Sequence, residues 1–364
     1  MSFTIKHLTN LVKVAVENKA SDIHLREGET PSLRIRGDII PVQTKEFMRQ
    51  ELVDLCEILF NDPEKLLTLD KLYENDGSFS IPGLCRLRFN YFRFQGRIGI
   101  ILRIINTTIP SISDLGLSPV IEEIAKQKRG LILLTGATGS GKSTTMAAMI
   151  NHINQTQEKH IITVEDPIEY LYPRNGKSKI SQREVGIDTY DFSSALRSAL
   201  RQDPDVICIG EIRDTETITM ALKASETGHT VFSTLHTTDA VSTIGRIIAM
   251  FPPAEQADVR KRLSENLYAT IGQRMLKSKQ DKQGMIVAQE IMITSPGIKE
   301  CILGEVALGR IPTIIAHGRG KGGNGGQTFD QHIMELYQQQ LISKDQALNA
   351  VGSQSDFLQK LIIS

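Results

Sequence analysis

The fold of this 364-residue chain is decided by the stretch Gly136-Ala137-Thr138-Gly139-Ser140-Gly141-Lys142-Ser143-Thr144. It fits the pattern of glycine, four residues, glycine, lysine and then serine or threonine. The apolar run 131–134 before it is typical of a strand, and residues 145–150 after it are typical of a helix. Glycines in this context let the backbone curl around a phosphate group, so that several N–H groups face negative charge. The stretch predicts a nucleoside-triphosphate site in an α/β domain, in preference to a simple glycine-rich turn.

The motif also assigns roles to its side chains. Lys142 is expected to reach the β- and γ-phosphates of a nucleoside triphosphate, and the hydroxyl of Ser143 is expected to hold Mg²⁺. All residues of the loop are predicted to line the nucleotide: Gly136, Ala137, Thr138, Gly139, Ser140, Gly141, Lys142, Ser143 and Thr144.

Composition limits the remaining classes of function. Lys and Arg together number 42, as do Asp and Glu, so the formal net charge is zero at pH 7. A broad electrostatic attraction to nucleic acid is therefore not expected. The longest apolar runs are far shorter than the roughly 18 residues that a membrane-spanning helix needs, and residues 1–20 lack the apolar core of a signal peptide. These features predict a cytoplasmic protein whose contact with a membrane is peripheral.

The four cysteines stand singly along the chain, at Cys56, Cys85, Cys208 and Cys301. Because no two of them have the spacing of metal ligands, neither a zinc site nor a disulfide framework is expected.

Residues 1–105 are predicted to form a small α+β domain. Residues 4–18 have apolar positions at helical spacing, and strands are expected around Ile23 and over 86–93, with a turn at Asp76-Gly77. In a strand, Arg86 and Arg88 share one face, because successive side chains point to opposite sides. Either these arginines are a solvated face, or they and the aromatic residues between them contact nucleic acid.

Residues 106–119, beginning with Asn106, are predicted to be a linker. Residues 120–364 are predicted to form a second domain in which strands at 131–135, 160–165, 206–210 and 230–235 alternate with helices. This order is typical of a parallel sheet covered by helices on both faces. Helical patterns follow over 254–275 and 330–340, and the glycine-rich segment 318–326 is expected to be a mobile connector.

Polar residues follow the predicted strands of the second domain, at the edge where ligands bind in open parallel sheets. Glu211 ends an apolar strand and is predicted to contact Mg²⁺ through water or to orient the attacking water. Glu165, which precedes Asp166-Pro167, is the candidate for polarising that water. His229 and His236 stand at the two ends of the fourth strand, and either is a candidate hydrogen-bond donor to the γ-phosphate.

The strand ends carry motifs that resemble those of the secretion ATPases. These are the phosphate loop, TVEDPIEY (163–170), ALRQDPDVICIGEIRD (199–214) and ETGHTVFSTLHT (226–237). The similarity continues through ASDIHL (20–25), RLRFN (86–90), FPPAEQ (251–256), IGQRML (271–276) and GGQTFDQ (325–331). Together they cover nearly the whole chain, and they resemble the PilT/PilU retraction ATPases of type IV pili. The four-cysteine insertion typical of the extension and secretion relatives PilB and GspE is missing, which favours retraction.

The resemblance implies an N-terminal PAS-like α+β domain joined to a C-terminal RecA-like P-loop ATPase domain with a helical C-terminal extension. It also implies a homohexameric ring that hydrolyses ATP with Mg²⁺ to retract pili, the motion behind twitching motility. In such rings the arginines of a neighbouring subunit reach the site, so Arg86 and Arg88 match trans-acting fingers and Arg103 matches a basic position near the nucleotide. The implied partner is a pilus platform protein at the inner face of the cytoplasmic membrane, and no nucleic acid is expected.

One segment departs from the family pattern. The retraction motif AIRNLIRE of PilT corresponds here to residues 297–304. Both isoleucines persist as Ile298 and Ile302, Lys299 replaces the first arginine, and the second arginine and the acid are gone. PilU-type accessory motors also diverge in this segment. The alternatives are therefore an accessory motor that depends on a second retraction ATPase, a pilus-extension or type II secretion ATPase, and, less directly, a low-turnover interaction subunit or a nucleic-acid motor.

Overall fold

A computed structural model describes residues 2–35, 37–60, 62–105, 108–281, 284–320 and 322–363 of the chain. The chain divides into two compact units, one made of residues 1–108 and 169–171 and the other of residues 109–168 and 172–364. Within the described ranges each unit contains one β-sheet, so the predicted α/β fold class is confirmed. Asn106 of the predicted linker and Lys321 of the glycine-rich segment lie outside the described residues.

The first unit is a six-stranded antiparallel sheet packed against helices. Its helices are α1 (Ile5–Glu17), α2 (Arg49–Leu59) and α3 (Pro63–Leu67), followed by a 3₁₀ turn at Leu69–Lys71. Its strands are β1 (Asp22–Arg26), β2 (Ser32–Ile35), β3 (Asp38–Pro41), β4 (Glu74–Ile81), β5 (Cys85–Phe94) and β6 (Arg97–Ile105). The strand order is β3-β2-β1-β6-β5-β4. The amphipathic helix predicted over 4–18 is α1, whose apolar stripe of Leu8, Val12 and Ala15 is buried.

Strand β5 has the two faces that its sequence predicts. Leu87, Phe89 and Tyr91 are buried in the core, whereas Arg88 is exposed and Arg86 is half-buried. The alternation therefore directs Phe89 and Tyr91 inward, where both pack against the ring of Phe60 at the end of α2.

The turn predicted at Asp76-Gly77 is wrong, because both residues lie inside β4. Gly77 pairs with Phe89 of β5, and a Cβ atom at Gly77 would lie 2.5 Å from Cζ of Phe89. Glycine in a strand interior often marks such a close approach. Gly77 thus makes room for an aromatic ring and does not reverse the chain.

The second unit contains a seven-stranded sheet with helices on both faces. Its strands are β7 (Gly130–Thr135), β8 (His160–Glu165), β9 (Lys179–Glu184), β10 (Val206–Ile209), β11 (Thr230–Leu235), β12 (Leu267–Lys277) and β13 (Met285–Ile293). Its helices are α4 (Val120–Ala125), α5 (Lys142–Thr156), α6 (Phe192–Ala199), α7 (Thr215–Glu226), α8 (Ala240–Ala249), α9 (Gln256–Asn266), α10 (Pro296–Leu303), α11 (Ile311–His317), α12 (Phe329–Gln338), α13 (Lys344–Ala350) and α14 (Gln354–Ile363), with a 3₁₀ turn at Leu308–Arg310.

The sheet order is β13-β12-β7-β11-β10-β8-β9. All neighbouring strands from β12 to β9 are parallel, and β13 is antiparallel to β12. Along β7, Leu131 and Leu133 belong to the core cluster that contains α7 and α8, whereas Ile132 and Leu134 belong to the cluster that contains α5. The central strands are therefore buried on both faces, as their continuous apolar sequence predicts.

The helix predicted over 254–275 is wrong in its second half. Helix α9 ends at Asn266, and β12 begins at Leu267. Every residue from Ala269 to Gln273 is buried, so this strand is covered on both faces. Periodicity alone does not distinguish such a strand from a buried helix. Strands β9 and β13 were not predicted either, whereas the helix predicted over 330–340 is found as α12.

The carboxyl-terminal helices α12, α13 and α14 share a core cluster with Leu276 of β12 and Ala288 of β13, which confirms the helical extension. In the glycine-rich segment, the backbone N–H of Gly325 donates to the carbonyl of Gly318 at 3.0 Å. The described part of this segment is thus a closed turn, and its mobility stays a prediction.

The cysteines of the chain are not reactive groups. All four cysteines are buried free thiols, and burial raises the pKa of Cys56 to about 12 and that of Cys85 to about 11. Thiols of this kind are protonated at neutral pH and unreactive.

Within the ranges that the structure describes, no helix has both the length and the apolar character needed to cross a bilayer.

Candidate nucleotide-binding site

The phosphate loop joins β7 to α5 and depends on glycines with unusual backbone angles. Gly136, Gly139 and Gly141 have φ values of +144°, +78° and +87°, which residues with a Cβ atom rarely adopt. A Cβ atom at Gly136 would also lie 2.4 Å from Oγ of Ser140 and 2.5 Å from the carbonyl oxygen of Gln273. Gly136 is therefore required by its conformation and by its contact with the neighbouring strand β12.

Lys142 begins α5 and is only 7% exposed. Its Nζ donates hydrogen bonds to the carbonyl oxygens of Gly136 at 2.8 Å and Ala137 at 2.9 Å, so the side chain folds back over the loop. The first turn of α5, all of it described, carries no acidic residue. The positive end of the helix dipole is thus not offset by a carboxylate, and it favours an anion at the loop. Ser143 and Thr144 are half-buried in the same turn.

Glu165 is the last residue of β8, and its carboxylate is held in place by two neighbours. Oε1 accepts hydrogen bonds from Oγ1 of Thr163 at 2.7 Å and from Nε2 of Gln182 at 3.1 Å. Gln182 lies on β9, a strand that the sequence analysis missed. The side chain of Glu165 is therefore oriented by groups on its own strand and on the adjacent one.

Glu211 and His236 lie close together at the same edge of the sheet, since β10 and β11 are parallel neighbours. Oε2 of Glu211 is 3.5 Å from Nε2 of His236, and Oε1 contacts the guanidinium of Arg213. The structure thus joins two residues that the sequence analysis singled out separately. It also adds Arg213, which follows Glu211 by two residues in the same motif and was overlooked.

Both histidines of the fourth predicted strand are candidates to contact the γ-phosphate. The structure places His229 far from the phosphate loop of its own chain. His229 precedes β11, and its carbonyl accepts from the N–H of Gly130 at the start of β7, 3.1 Å away. A strand of this length, at about 3.3 Å per residue, separates its two ends by roughly 20 Å. His229 therefore lies at the opposite edge of the sheet, where its Nδ1 is 2.9 Å from the carbonyl oxygen of Ala224 in α7.

The three arginines predicted to act on the nucleotide belong to the first unit. Nη2 of Arg86 donates to Oγ of Ser78 at 2.6 Å, and Nε of Arg103 donates to Oδ1 of Asp22 at 2.8 Å. Burial alone would raise the pKa of Asp22, but the hydrogen bonds from Ser21 and Arg103 outweigh it and lower the pKa. Arg88, in contrast, is exposed.

Glu290 is a buried carboxyl group that the sequence analysis missed. It lies on β13, is 6% exposed, and accepts a hydrogen bond of 2.7 Å on Oε1 from the N–H of Ala240 in α8. Burial raises its pKa to about 7; Asp239 adds to the increase, and Arg274 opposes it. No motif marks this residue, because its partner is 50 positions away in the sequence.

The comparisons with known proteins agree with this fold and site. A family model described as type II/IV secretion system protein matches residues 1–315. The chain therefore belongs to this family, and it is a nucleotide-binding ATPase with a phosphate loop.

Particular relatives narrow the class further. The chain is 41% identical over 340 residues to the type IV pilus retraction ATPase PilT of Pseudomonas aeruginosa, which covers 93% of this chain and 96% of that protein. It is 34% identical over 346 residues to the type IV pilus ATPase PilU of the same organism, covering 95% and 89%. A crystal structure of the pilus retraction motor PilT with bound ADP matches with a TM-score of 0.87 at 39% identity, covering 96% of this chain and 98% of that one.

The buried carboxyl of Glu290 generates a prediction about pH. We expect Glu290→Gln to raise the melting temperature, relative to the unchanged protein, more at pH 8 than at pH 5. The pKa is about 7 in the folded state against 4.5 ordinarily, so the folded protein binds more protons between these values and loses stability as the pH rises through them. Ionising Glu290 costs about 1.4 kcal/mol for each unit of pKa increase, and a neutral amide avoids that cost.

Thermal unfolding followed at several pH values between 5 and 8 measures the difference. Glu300→Gln, at an exposed position of α10, is the control and should shift the melting temperature equally at all of them. A Glu290→Gln shift that does not change with pH would contradict the raised pKa.

Proposed function

We propose that this chain is the ATPase motor of a type IV pilus and that it hydrolyses ATP to drive pilus retraction and twitching motility. The observation that carries the proposal is the convergence of the phosphate loop, Glu165 and the Glu211–His236 pair on one edge of a single parallel sheet. The 41% identity to a retraction ATPase over nearly the whole chain supports the same conclusion.

The loop residues 136–144 are proposed to bind the phosphates of ATP. Lys142 would exchange the carbonyl oxygens of Gly136 and Ala137 for phosphate oxygens, since its ammonium already lies over the loop. The hydroxyl of Ser143 and the carboxylate of Glu211 are oxygen donors of the kind that Mg²⁺ prefers, so they fit the metal predicted from the sequence. When bound, Mg²⁺ would neutralise charge on the β- and γ-phosphates.

Glu165 and Glu211 are proposed to divide the work of hydrolysis. Glu165, held by Thr163 and Gln182, would accept the proton of the attacking water or polarise it. Glu211 would contact the metal through water, and His236 would donate a hydrogen bond to the γ-phosphate from the position that Glu211 gives it. His229 has no such role at the loop of its own chain, because it lies at the far edge of the sheet.

We further propose that the motor is a homohexamer in which Arg86 and Arg88 of one subunit act at the nucleotide of its neighbour. The exposure of Arg88 on β5 agrees with an intermolecular role. Arginine fingers that stabilise the transferring phosphoryl group typically supply on the order of 10³ to 10⁵ in rate. Arg103 is proposed as a weaker nucleotide contact, since it must leave Asp22 to reach one.

The proposed location is the cytoplasm, at the inner face of the cytoplasmic membrane, where the ring would dock on the platform protein of the pilus. A second retraction ATPase is a further proposed partner. The divergence of residues 297–304 from the retraction motif is the specific observation that favours an accessory motor as the alternative. These residues fall on α10, where Ile298 and Ile302 are buried and Lys299 is exposed.

We expect Lys142→Ala to abolish nucleotide binding and hydrolysis, because it removes the charge over the loop. Glu211→Gln should bind ATP normally and hydrolyse it roughly 10² to 10³ times more slowly, since a neutral amide orients the metal-bound water and offsets the metal charge less well than a carboxylate. Steady-state phosphate release and the binding of a fluorescent nucleotide measure the two effects.

Lys126→Ala, which removes an exposed ion pair with Glu123, is the matched lysine control and should keep full activity. Added DNA or RNA should leave the rate unchanged. Normal turnover in either site variant would remove the proposed mechanism, and strong stimulation by DNA would favour a nucleic-acid motor.

Mixed rings test the arginine finger. Arg88→Ala subunits and Lys142→Ala subunits should each be inactive alone, because one lacks the finger and the other lacks the site. In a mixed ring, some interfaces combine an intact arginine with an intact loop, so we expect partial recovery of hydrolysis. Recovery that is absent at every mixing ratio would show that Arg88 does not act across subunits.

The pilus phenotype tests the direction of the motor. If the chain drives retraction, we expect a strain lacking it to carry more surface pili and to lose twitching, because pilus growth continues without removal. Electron microscopy of surface pili and a twitching assay measure this result. Bald cells would identify an extension ATPase, and retained twitching with weaker retraction force would identify an accessory motor.

A further inference from the structure

His236 lies in the short connection between β11 and α8, and this connection is fixed at three points. At its start, Nε2 of His236 is 3.5 Å from Oε2 of Glu211. In its middle, the hydroxyls of Thr237 and Thr243 are 2.7 Å apart. At its end, the N–H of Ala240 donates to Oε1 of Glu290 at 2.7 Å. Of these contacts, the last joins the connection to β13.

Glu290 lies in a closely packed part of the sheet. It pairs with Gly272 of β12, and a Cβ atom at Gly272 would lie 3.1 Å from the ring of Phe329 and 3.4 Å from Cβ of Glu290. Arg274, also on β12, lies over the ring of Phe329 at 3.9 Å from its centroid. The charged groups that act on Glu290 are Asp239 beside α8, Arg274 on β12 and Asp330 on α12.

The hydrogen bond from Ala240 adds to the cap of α8, because a capping side chain satisfies only one of the first N–H groups of a helix. Asp239 already caps this helix, since its Oδ1 accepts from the N–H of Ser242 at 2.7 Å. Burying a carboxyl group is costly unless the group is well paired. Glu290 therefore satisfies the N–H of Ala240 and also ties the start of α8, next to the connection that carries His236, to β13.

We propose that Glu290 is a positioning residue of the ATPase site and that, through Ala240, it holds His236 in its place against Glu211. This inference rests on the proposed function of His236 at the γ-phosphate. It makes the site depend on β13, the antiparallel edge strand of the sheet, as well as on the parallel strands that carry the catalytic groups.

Kinetics of three variants test the inference: Glu290→Ala, His236→Ala and the double variant. We expect Glu290→Ala to lower kcat roughly tenfold to a hundredfold, since small misplacements of reacting groups cost this much, and to change KM for ATP less than about threefold. If Glu290 acts through His236, the double variant should be no slower than His236→Ala alone. Glu290→Gln keeps an acceptor oxygen for Ala240 and should restore most of kcat.

Two further variants separate positioning from folding. Gln289→Ala removes a neighbouring buried side chain of β13 that bonds to Ser118 and not to the connection, so it should lower stability and leave kcat within about twofold. Ala240→Pro removes the donated N–H at the first position of a helix, where proline is tolerated, after an Asp239 that is already extended at φ −162° and ψ 173°. Ala240→Pro should lower kcat by the same factor that is expected for Glu290→Ala. It therefore tests the inference even if Glu290→Ala folds poorly.

Amide hydrogen exchange over residues 236–243 gives a readout that does not require hydrolysis. Exchange there should be faster in Glu290→Ala and unchanged in Gln289→Ala. The inference would be overturned if the losses of kcat in the two single variants multiplied in the double variant. It would also be overturned if Glu290→Ala changed neither amide exchange nor kcat. Neither outcome would affect the ATPase proposal. If the protein without any substitution does not hydrolyse ATP, the proposed function is wrong. The exchange measurement would still decide the role of Glu290.

Discussion

The parallel pairing of β7, β11, β10 and β8 is the constraint on which the site depends. These strands are buried on both faces, and their register brings Thr135, Leu235, Ile209 and Val164 to the same edge. Glu165 ends β8, and Lys142, Glu211 and His236 follow the ends of β7, β10 and β11. The hydrophobic burial that fixes the sheet therefore also fixes the distances between groups that come from separate parts of the sequence. The chemistry needs no further element to bring the groups together, but it does need elements that orient them.

That orientation comes from strands outside the catalytic set. Gln273 of β12 donates to Oγ1 of Thr145 at 2.8 Å, and its carbonyl lies against the loop at Gly136. Gln182 of β9 holds the carboxylate of Glu165, and Glu290 of β13 holds the connection after β11. Each of these three residues lies on a strand that flanks the central parallel set. The outer strands of the sheet thus act on the site through buried hydrogen bonds, which in a low-dielectric interior are strong and costly to leave unmade.

The same division explains what the sequence predicts and what it leaves out. The four central strands and the phosphate loop are found where they were predicted, because a continuous apolar run followed by a polar residue is a local signal. The sequence predicts a helix where β12 lies, because the residues of this strand are buried on both faces. It carries no apolar signal for β9, because that strand is polar. Glu290 and Gln182 act over long sequence separations, so no local pattern marks them. His229 was misplaced for another reason, since two residues at opposite ends of one parallel strand cannot share an edge.

The divergent segment 297–304 shows how the surface of this fold can change while the ATPase site stays the same. Ile298, Cys301 and Ile302 of α10 belong to the core cluster that also contains Leu235 and Ile244, next to the connection that carries His236. The side chain of Arg260 donates to the carbonyl of Ile302 at 2.9 Å, and Gly304 ends the helix with φ +91°. The buried positions of the segment are thus those that tie α10 to the ATPase core, whereas Lys299 and Glu300 are exposed. The departures from the motif at Lys299, Glu300 and Leu303 are exposed, whereas Cys301, which stands at the motif leucine, is buried in the core cluster. The changes at the exposed positions therefore alter the surface that α10 presents outside the chain, while Ile298 and Ile302 keep their places in the core.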